Sequence, residues 1–202
     1  SNPAISQHTK ERLLKVLCRS KFVSVRQDLA RLTELPVFIF ETIAKDPNEK
    51  VRMEVAASVQ VNGAILQKIA NDDSHRVRQF IGKNEVAPTE LLNHLVCDAN
   101  SLVRSGVASN PKATHEILAI LSKDHDSEVR CQVASNPSTK IELLLHLIKD
   151  SESTVRRSAA ENIAAEAILE ALVDDPDIWV RKKVAINVAS PAHVLASLSK
   201  DK

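Results

Sequence analysis

Asp98-Ala99-Asn100-Ser101-Leu102-Val103-Arg104-Ser105-Gly106-Val107-Ala108-Ser109-Asn110-Pro111 is followed 26 residues later by Asp124-His125-Asp126-Ser127-Glu128-Val129-Arg130-Cys131-Gln132-Val133-Ala134-Ser135-Asn136-Pro137. The two stretches share Asp, Val-Arg and Val-Ala-Ser-Asn-Pro in register. Working outward, Val-Arg recurs at 25, 51, 77, 103, 129, 155 and 180, so the spacing is 26 throughout except for a final 25. A fixed period of this length marks a repeat architecture, in which each unit is one supersecondary element stacked on its neighbours.

Counting each repeat from its Val, position 2 is Arg26, Arg52, Arg78, Arg104, Arg130, Arg156 and Arg181. Position 6 is small: Ala30, Ala56, Gly82, Ala108, Ala134, Ala160 and Ala185. Position 8 is Asn in the last five repeats: Asn84, Asn110, Asn136, Asn162 and Asn187. Asp46, Asp72, Asp98, Asp124, Asp150, Asp175 and Asp201 complete the pattern.

Each repeat reads as two short helices. The first begins just after the Asp column and runs to about position 8, with positions 1 and 5 and the Asn on its core face. Asp46-Pro47 and Asp175-Pro176 predict an N-cap followed by a Pro in the first turn. The second helix starts near position 12, where Ser190-Pro191 repeats that signal and Thr139-Lys140-Ile141-Glu142 predicts a capping box. Its apolar residues fall at positions 15, 16 and 19, as in Leu143, Leu144 and Leu147, the stripe of a buried helix face. Leu118, Leu144 and Leu147 are expected in the shared core. The single deletion falls between Asn162 and Ile168, in the turn between helices.

Leu13, Leu14 and Leu17 occupy the second-helix columns, and Ser20 stands in the Asp column. Residues 8–24 therefore read as an N-terminal half-repeat in a single repeat domain over 8–202, with residues 1–7 a cleavage scar or disordered N-terminus. After Lys202 no polar capping helix follows, so the sequence reads either as a solenoid with a bare end or as a piece of a longer chain or assembly.

The pattern Asp-x-x-x-x-Val-Arg followed by Val-Ala-x-Asn-Pro, seen best in Asp98–Pro111 and Asp124–Pro137, resembles the variant leucine-rich repeat family. Its Asp and Val-Arg spacing is also similar to that of HEAT repeats, whose units are longer. The resemblance spans nearly all of residues 8–202. It implies an all-α fold, a right-handed α-solenoid of seven two-helix repeats with first helices along one face and second helices along the other. In that family the first helix can be partly 3₁₀. Some members carry an N-terminal iron–sulfur module with clustered Cys; nothing here matches it, and no cofactor is expected.

Composition agrees with a helical chain. Only three Gly are present among 202 residues, and the hydrophobic fraction of 44% is mostly aliphatic, with four Phe, one Trp and no Tyr. The net charge of +1 is spread evenly, so no bulk charge demands nucleic acid or an anionic membrane. No apolar stretch approaches the ~20 residues of a transmembrane helix. Cys18, Cys97 and Cys131 lack metal-ligand or redox spacing, which fits a reducing, cytoplasmic setting.

No catalytic, metal or cofactor motif emerges. His94 and His146 share a column but lie two repeats apart, with Ile120 between, and there is no phosphate loop, nucleophile elbow or His-Glu-x-x-His. The Asp and Arg columns are expected to form a structural ladder rather than a ligand stripe.

Binding surface is sought instead on the first-helix positions that helical geometry turns outward, namely 3, 4, 7 and the residue before Val. These carry the bases Arg31, Lys50, Arg76, Lys83, Arg157, Lys182 and Lys183 and the acids Asp28, Glu54, Glu128 and Glu161. In repeats four and five they become small or neutral, with Leu102, Ser105, Gly106, Ser109, Cys131, Gln132 and Ser135. Phe80 with Arg76, and Trp179 with Lys183, are expected cation–π pairs at four-residue spacing. The expected function is a non-enzymatic scaffold that binds an unidentified protein or peptide through this face, at Arg76, Phe80, Lys83, Arg157, Trp179, Lys182 and Lys183. The alternative is a HEAT-like nucleic-acid binder or DNA-repair glycosylase-type module. That reading is disfavoured because the face is only three charges net positive and its aromatics are four repeats apart.

Overall fold

A computed structural model describes residues 7–32, 34–162 and 166–199. Among these the chain forms fifteen α-helices and no strands. In order they are α1 (Gln7–Leu17), α2 (Val23–Arg31), α3 (Val37–Ile43), α4 (Glu49–Ala57), α5 (Gly63–Lys68), α6 (His75–Lys83), α7 (Thr89–Leu95), α8 (Ser101–Ala108), α9 (His115–Leu121), α10 (Ser127–Ser135), α11 (Ile141–Leu147), α12 (Ser153–Glu161), α13 (Glu166–Ala171), α14 (Ile178–Ile186) and α15 (Ala192–Leu198). Even-numbered helices are the first helices of the repeats and odd-numbered ones the second. The first helices are α-helical throughout, without the 3₁₀ turns that the family resemblance allows. Both the expected inter-helix deletion in repeat six and most of the expected N-terminal scar lie outside the described residues.

The two layers share one core. Val51, Val77, Val103, Val129, Val155 and Val180 at position 1 are fully buried, as are Val55, Ile81, Val107, Val133, Ala159 and Val184 at position 5. Second helices contribute Ile39, Phe40, Leu91, Leu92, Ile117, Leu118, Leu144 and Leu147. Each such side chain removes its apolar surface from water, worth roughly 1.5–3 kcal/mol. The ends of the stack show which way each column points. Leu13, at position 15, is 51% exposed, while its neighbour Leu14, at position 16, is buried. At α15 the order reverses: Val194 is buried and Leu195 is 41% exposed. Position 15 therefore packs back onto the preceding repeat and position 16 forward onto the next.

Helix starts differ from the sequence expectation. The residue that caps α4 is Asn48 rather than Asp46, and α14 is capped by Asp177 rather than Asp175. Pro47 and Pro176 each stand before the cap. The Asp instead accepts the backbone N–H two residues on, at 2.9 Å in all six described cases, which turns the chain into the cap. Nor does Thr139 form a capping box. The α11 cap is Lys140, and Thr139 Oγ1 donates to the Val133 carbonyl at 2.6 Å. Ser190 does the same to Val184, leaving Pro191 as the α15 cap. Aiming the hydroxyl at the preceding first helix turns its oxygen away from the first N–H groups of the helix that follows.

Two ladders run through the stack. In six repeats the Arg guanidinium grips the Asp of the next repeat with both Nε (2.5–2.7 Å) and Nη2 (2.9–3.1 Å). Nη1 reaches back to the main-chain carbonyl at the previous Asp column, at 2.5–2.8 Å. Ser20 supplies that carbonyl to Arg26. Asp201, the column partner of Arg181, lies outside the described residues. The fork geometry is the strong, bidentate kind, and it ties the turn before each Arg's own helix to the turn of the next repeat. Burial raises the carboxyl pKa of Asp72, Asp98, Asp124 and Asp150. The guanidinium and the backbone N–H more than offset that, and all four are held below the usual carboxylate value.

The second ladder was not foreseen. Asn84, Asn110, Asn136, Asn162 and Asn187 each donate their side-chain amide to two main-chain carbonyls of the preceding repeat. For Asn136 these are Ala108, at 2.6 Å, and Asn110, at 2.9 Å. Oδ1 of Asn84, Asn110, Asn136 and Asn187 accepts the backbone N–H two residues on. Carbonyls at the C-terminal ends of α4, α6, α8, α10 and α12, which lack intrahelical donors, are thus satisfied by the next repeat.

Adjacent first helices run with their backbones close along their length, whereas consecutive second helices stand further apart. The more tightly spaced layer of a curved double layer is its inner one, so first helices line the concave side.

Candidate interaction surface

The concave side is built from the first-helix columns singled out in the sequence, and their geometry is not uniform. Position 3 of one helix faces position 4 of the next. Met53 and Phe80, both large, stay part-exposed, while the small residues of these columns are mostly covered, though Ser158 is part-exposed. Ser105 is 6% and Cys131 8% exposed, and Gly106 is also buried. These three were expected outward. Gly106 and Cys131 lie in the contacts of α6 with α8 and of α10 with α12, the most closely packed helix pairs among the described residues, while Ser105 is covered on the side of Gln132.

The charged residues sort by partner. Arg31 pairs with Asp28 and Glu54, Arg76 lies 3.7 Å from Glu49, and Lys183 lies 2.5 Å from Glu161. Three of the seven bases are thereby neutralised by acids on neighbouring first helices. Lys50 and Lys83 are exposed and Arg157 is part-exposed, and among the described residues none of the three stands in an ion pair.

Neither expected cation–π pair forms. Trp179 is 58% exposed, and its ring carries Lys182, with Nζ 5.1 Å from the centroid, because Lys183 turns to Glu161. Arg76 turns to Glu49 and leaves Phe80, which packs half-buried against the core. So Phe80 is as much a core residue as a surface anchor. The candidate residues separate into Arg76, Phe80 and Lys83 on α6, Arg157 on α12, and Trp179, Lys182 and Lys183 on α14.

Elsewhere the surface offers open clefts along the Arg–Asp edge, such as one of about 380 Å³ lined by Asp72, Arg78, His94 and Asp98. Another of about 330 Å³ holds Asp124, Arg130, His146 and Asp150. Their floors are saturated: every nitrogen of Arg78 is already bonded to Asp98 or to the carbonyls of Asp72 and Asp73. His94 and His146 sit in separate clefts, and His94 bonds Asn71 at 2.9 Å. Among the described residues no three His, Cys, Asp or Glu side chains are grouped to hold a metal ion, and no helix is long and apolar enough to cross a membrane.

Stacked two-helix units joined by the two ladders define a helical-repeat solenoid, a repeat scaffold. Within that class the chain is similar to a solved protein described as a leucine-rich repeat variant with a novel repetitive structural motif. The two share 29% identity over 88% of this chain and 71% of that one, with a TM-score of 0.63. An engineered protein is 18% identical over 94% of this chain and 96% of its own, with a TM-score of 0.37. No protein-family model and no curated protein matches the chain.

Proposed function

We propose that the chain is a non-catalytic scaffold that binds a protein or peptide along the concave face of its first helices. The observation that carries this reading is Trp179. It is a large aromatic, more than half exposed, with its ring under the Lys182 ammonium on the inner side of the solenoid. Exposed aromatics beside cationic groups are what interface hot spots favour. Lys50, Lys83 and Arg157 add bases that can meet a partner's carboxylates.

A nucleic-acid partner is disfavoured on magnitude. Six to ten phosphate contacts are what give a strong, salt-dependent affinity. The internal pairing of Arg31, Arg76 and Lys183 leaves fewer bases than that on the whole face.

The test compares wild type with Trp179→Ala and with Lys182→Glu/Lys183→Glu, in capture of partners from the native lysate and in binding of duplex DNA near physiological salt. Both variants are expected to lose the captured partner, and all three proteins to leave DNA unbound. Tight duplex binding by wild type, abolished by the charge reversal, would replace the protein-binding reading with the nucleic-acid one. Trp179 is a better probe than Phe80, whose truncation would also disturb the core.

A further inference from the structure

Position 4 of the first helix is Asp28, Glu54, Phe80, Gly106, Gln132, Ser158 and Lys183 along the chain. Five are long or bulky. The two small ones, Gly106 and Ser158, stand on α8 and α12, and those helices belong to the two most closely packed pairs. The contact beneath each is specific. A Cβ on Gly106 would lie 2.6 Å from the Gln79 carbonyl oxygen and 3.4 Å from its carbon, so α8 lies against the α6 backbone with no room for a side chain. At the second place, Cys131 of α10 is only 8% exposed, with Ser158 and Thr154 of α12 the side chains beside its thiol. Between them, α8 and α10 are less closely packed, and position 4 of α10 is Gln132.

We propose that Gly106 and Ser158 are two built-in bends of the solenoid, and that the size of the position-4 side chain sets the local curvature of the concave face. The spacing of packed helices follows the side chains at their contact, and a solenoid's curvature is the sum of small rotations per repeat. First helices form the inner layer. Narrowing that layer alone at α6/α8 and α10/α12 tightens the arc there, while Glu54, Phe80 and Lys183 wedge the other interfaces open. The bends lie two repeats apart and divide the candidate residues into the α6 group before the first, and the α12 and α14 groups at and beyond the second. They therefore set the distance between the two groups, whatever ligand bridges them.

The experiment is small-angle X-ray scattering of the full chain as wild type, Gly106→Gln, Ser158→Gln and Gln132→Gly, with circular dichroism to confirm folding. The alkylation rate of Cys131, followed by peptide mass spectrometry against the exposed Cys97, supplies a local readout. Gly106→Gln and Ser158→Gln are expected to shift the pair-distance distribution to larger dimensions, and Gln132→Gly, which creates a third bend, to smaller ones. Cys131 should react several-fold faster in Ser158→Gln and unchanged in Gly106→Gln. Should Gly106→Gln fail to fold, the other two variants decide. Folded variants whose scattering superimposes on wild type, or a Gln132→Gly protein that does not contract, would overturn the proposal.

Discussion

The side-chain amide of Asn136 donates to the main-chain carbonyl of Asn110, 26 residues earlier, at 2.9 Å. Each Asn thereby holds the helix end that carries the previous Asn, and the column becomes a continuous chain of bonds from Ser58 to Asn187. Both carbonyls that Asn136 reaches sit beneath the next repeat, away from solvent. Asn136→Ala would orphan them at a cost of roughly 1–3 kcal/mol. Chemical denaturation should show that loss as a lower midpoint with cooperative unfolding retained.

The same ladder predicts a gain. Ser58 occupies the Asn column of repeat two, and its φ of −70° and ψ of 129° are close to the −73° and 122° of Asn84. The backbone is already set for an Asn whose amide would reach the Ala30 and Leu32 carbonyls. Ser58→Asn is expected to raise stability by about 0.5–1.5 kcal/mol, the net worth of an added hydrogen bond. An unchanged or lowered melting temperature would show that repeat two is spaced differently from the rest.

Arg104 joins two successive turns, bonding Asp124 through Nε and Nη2 and the Asp98 carbonyl through Nη1. Arg104→Ala should cost roughly 1–3 kcal/mol by leaving these groups unpaired. A wild-type denaturation midpoint combined with altered ligand affinity would instead assign the column to binding.

The ladder also predicts the acid limb of stability. Asp72, Asp98, Asp124 and Asp150 have carboxyl pKa values depressed in the folded state, so the unfolded chain binds their protons first. Their contribution is complete above the unfolded value of about 4 and is lost as pH falls through the lower folded values. Stability measured from pH 7 downward should fall mainly below about pH 4, and less steeply in Arg104→Ala.

The repeat period, the two-helix unit and the core columns were legible because burial forces the same residue types every 26 positions: Leu118, Leu144 and Leu147 are buried as expected. The Arg–Asp pairing was legible for the same reason. The Asn ladder was only half visible. The column could be read, but its hydrogen bonds go to main-chain carbonyls, which carry no sequence signature. The caps were misplaced because an Asp or a Thr before a helix has other uses: Asp46 serves Arg26 and the Asn48 N–H, and Thr139 serves Val133. The concave surface was read least well. Helical geometry alone turns Gly106 and Cys131 outward, but how far a neighbouring helix covers them depends on how closely α8 lies against α6 and α12 against α10. A one-residue count around one helix cannot contain that information. Partner choice was a similar limit, since Lys183 had two candidates four residues or one repeat away and took Glu161 over Trp179.

The central claim is that the molecule is a one-dimensional stack in which each repeat is held by its neighbours. Hydrogen exchange in wild type and Leu144→Ala tests it most directly. Leu144 is fully buried in α11, and its truncation should cost roughly 2–5 kcal/mol. In a nearest-neighbour solenoid the loss of protection should appear first in repeats four to six, with the terminal repeats close to wild type. A uniform loss of protection from α2 to α14 would contradict the account and make the chain a single globally cooperative domain.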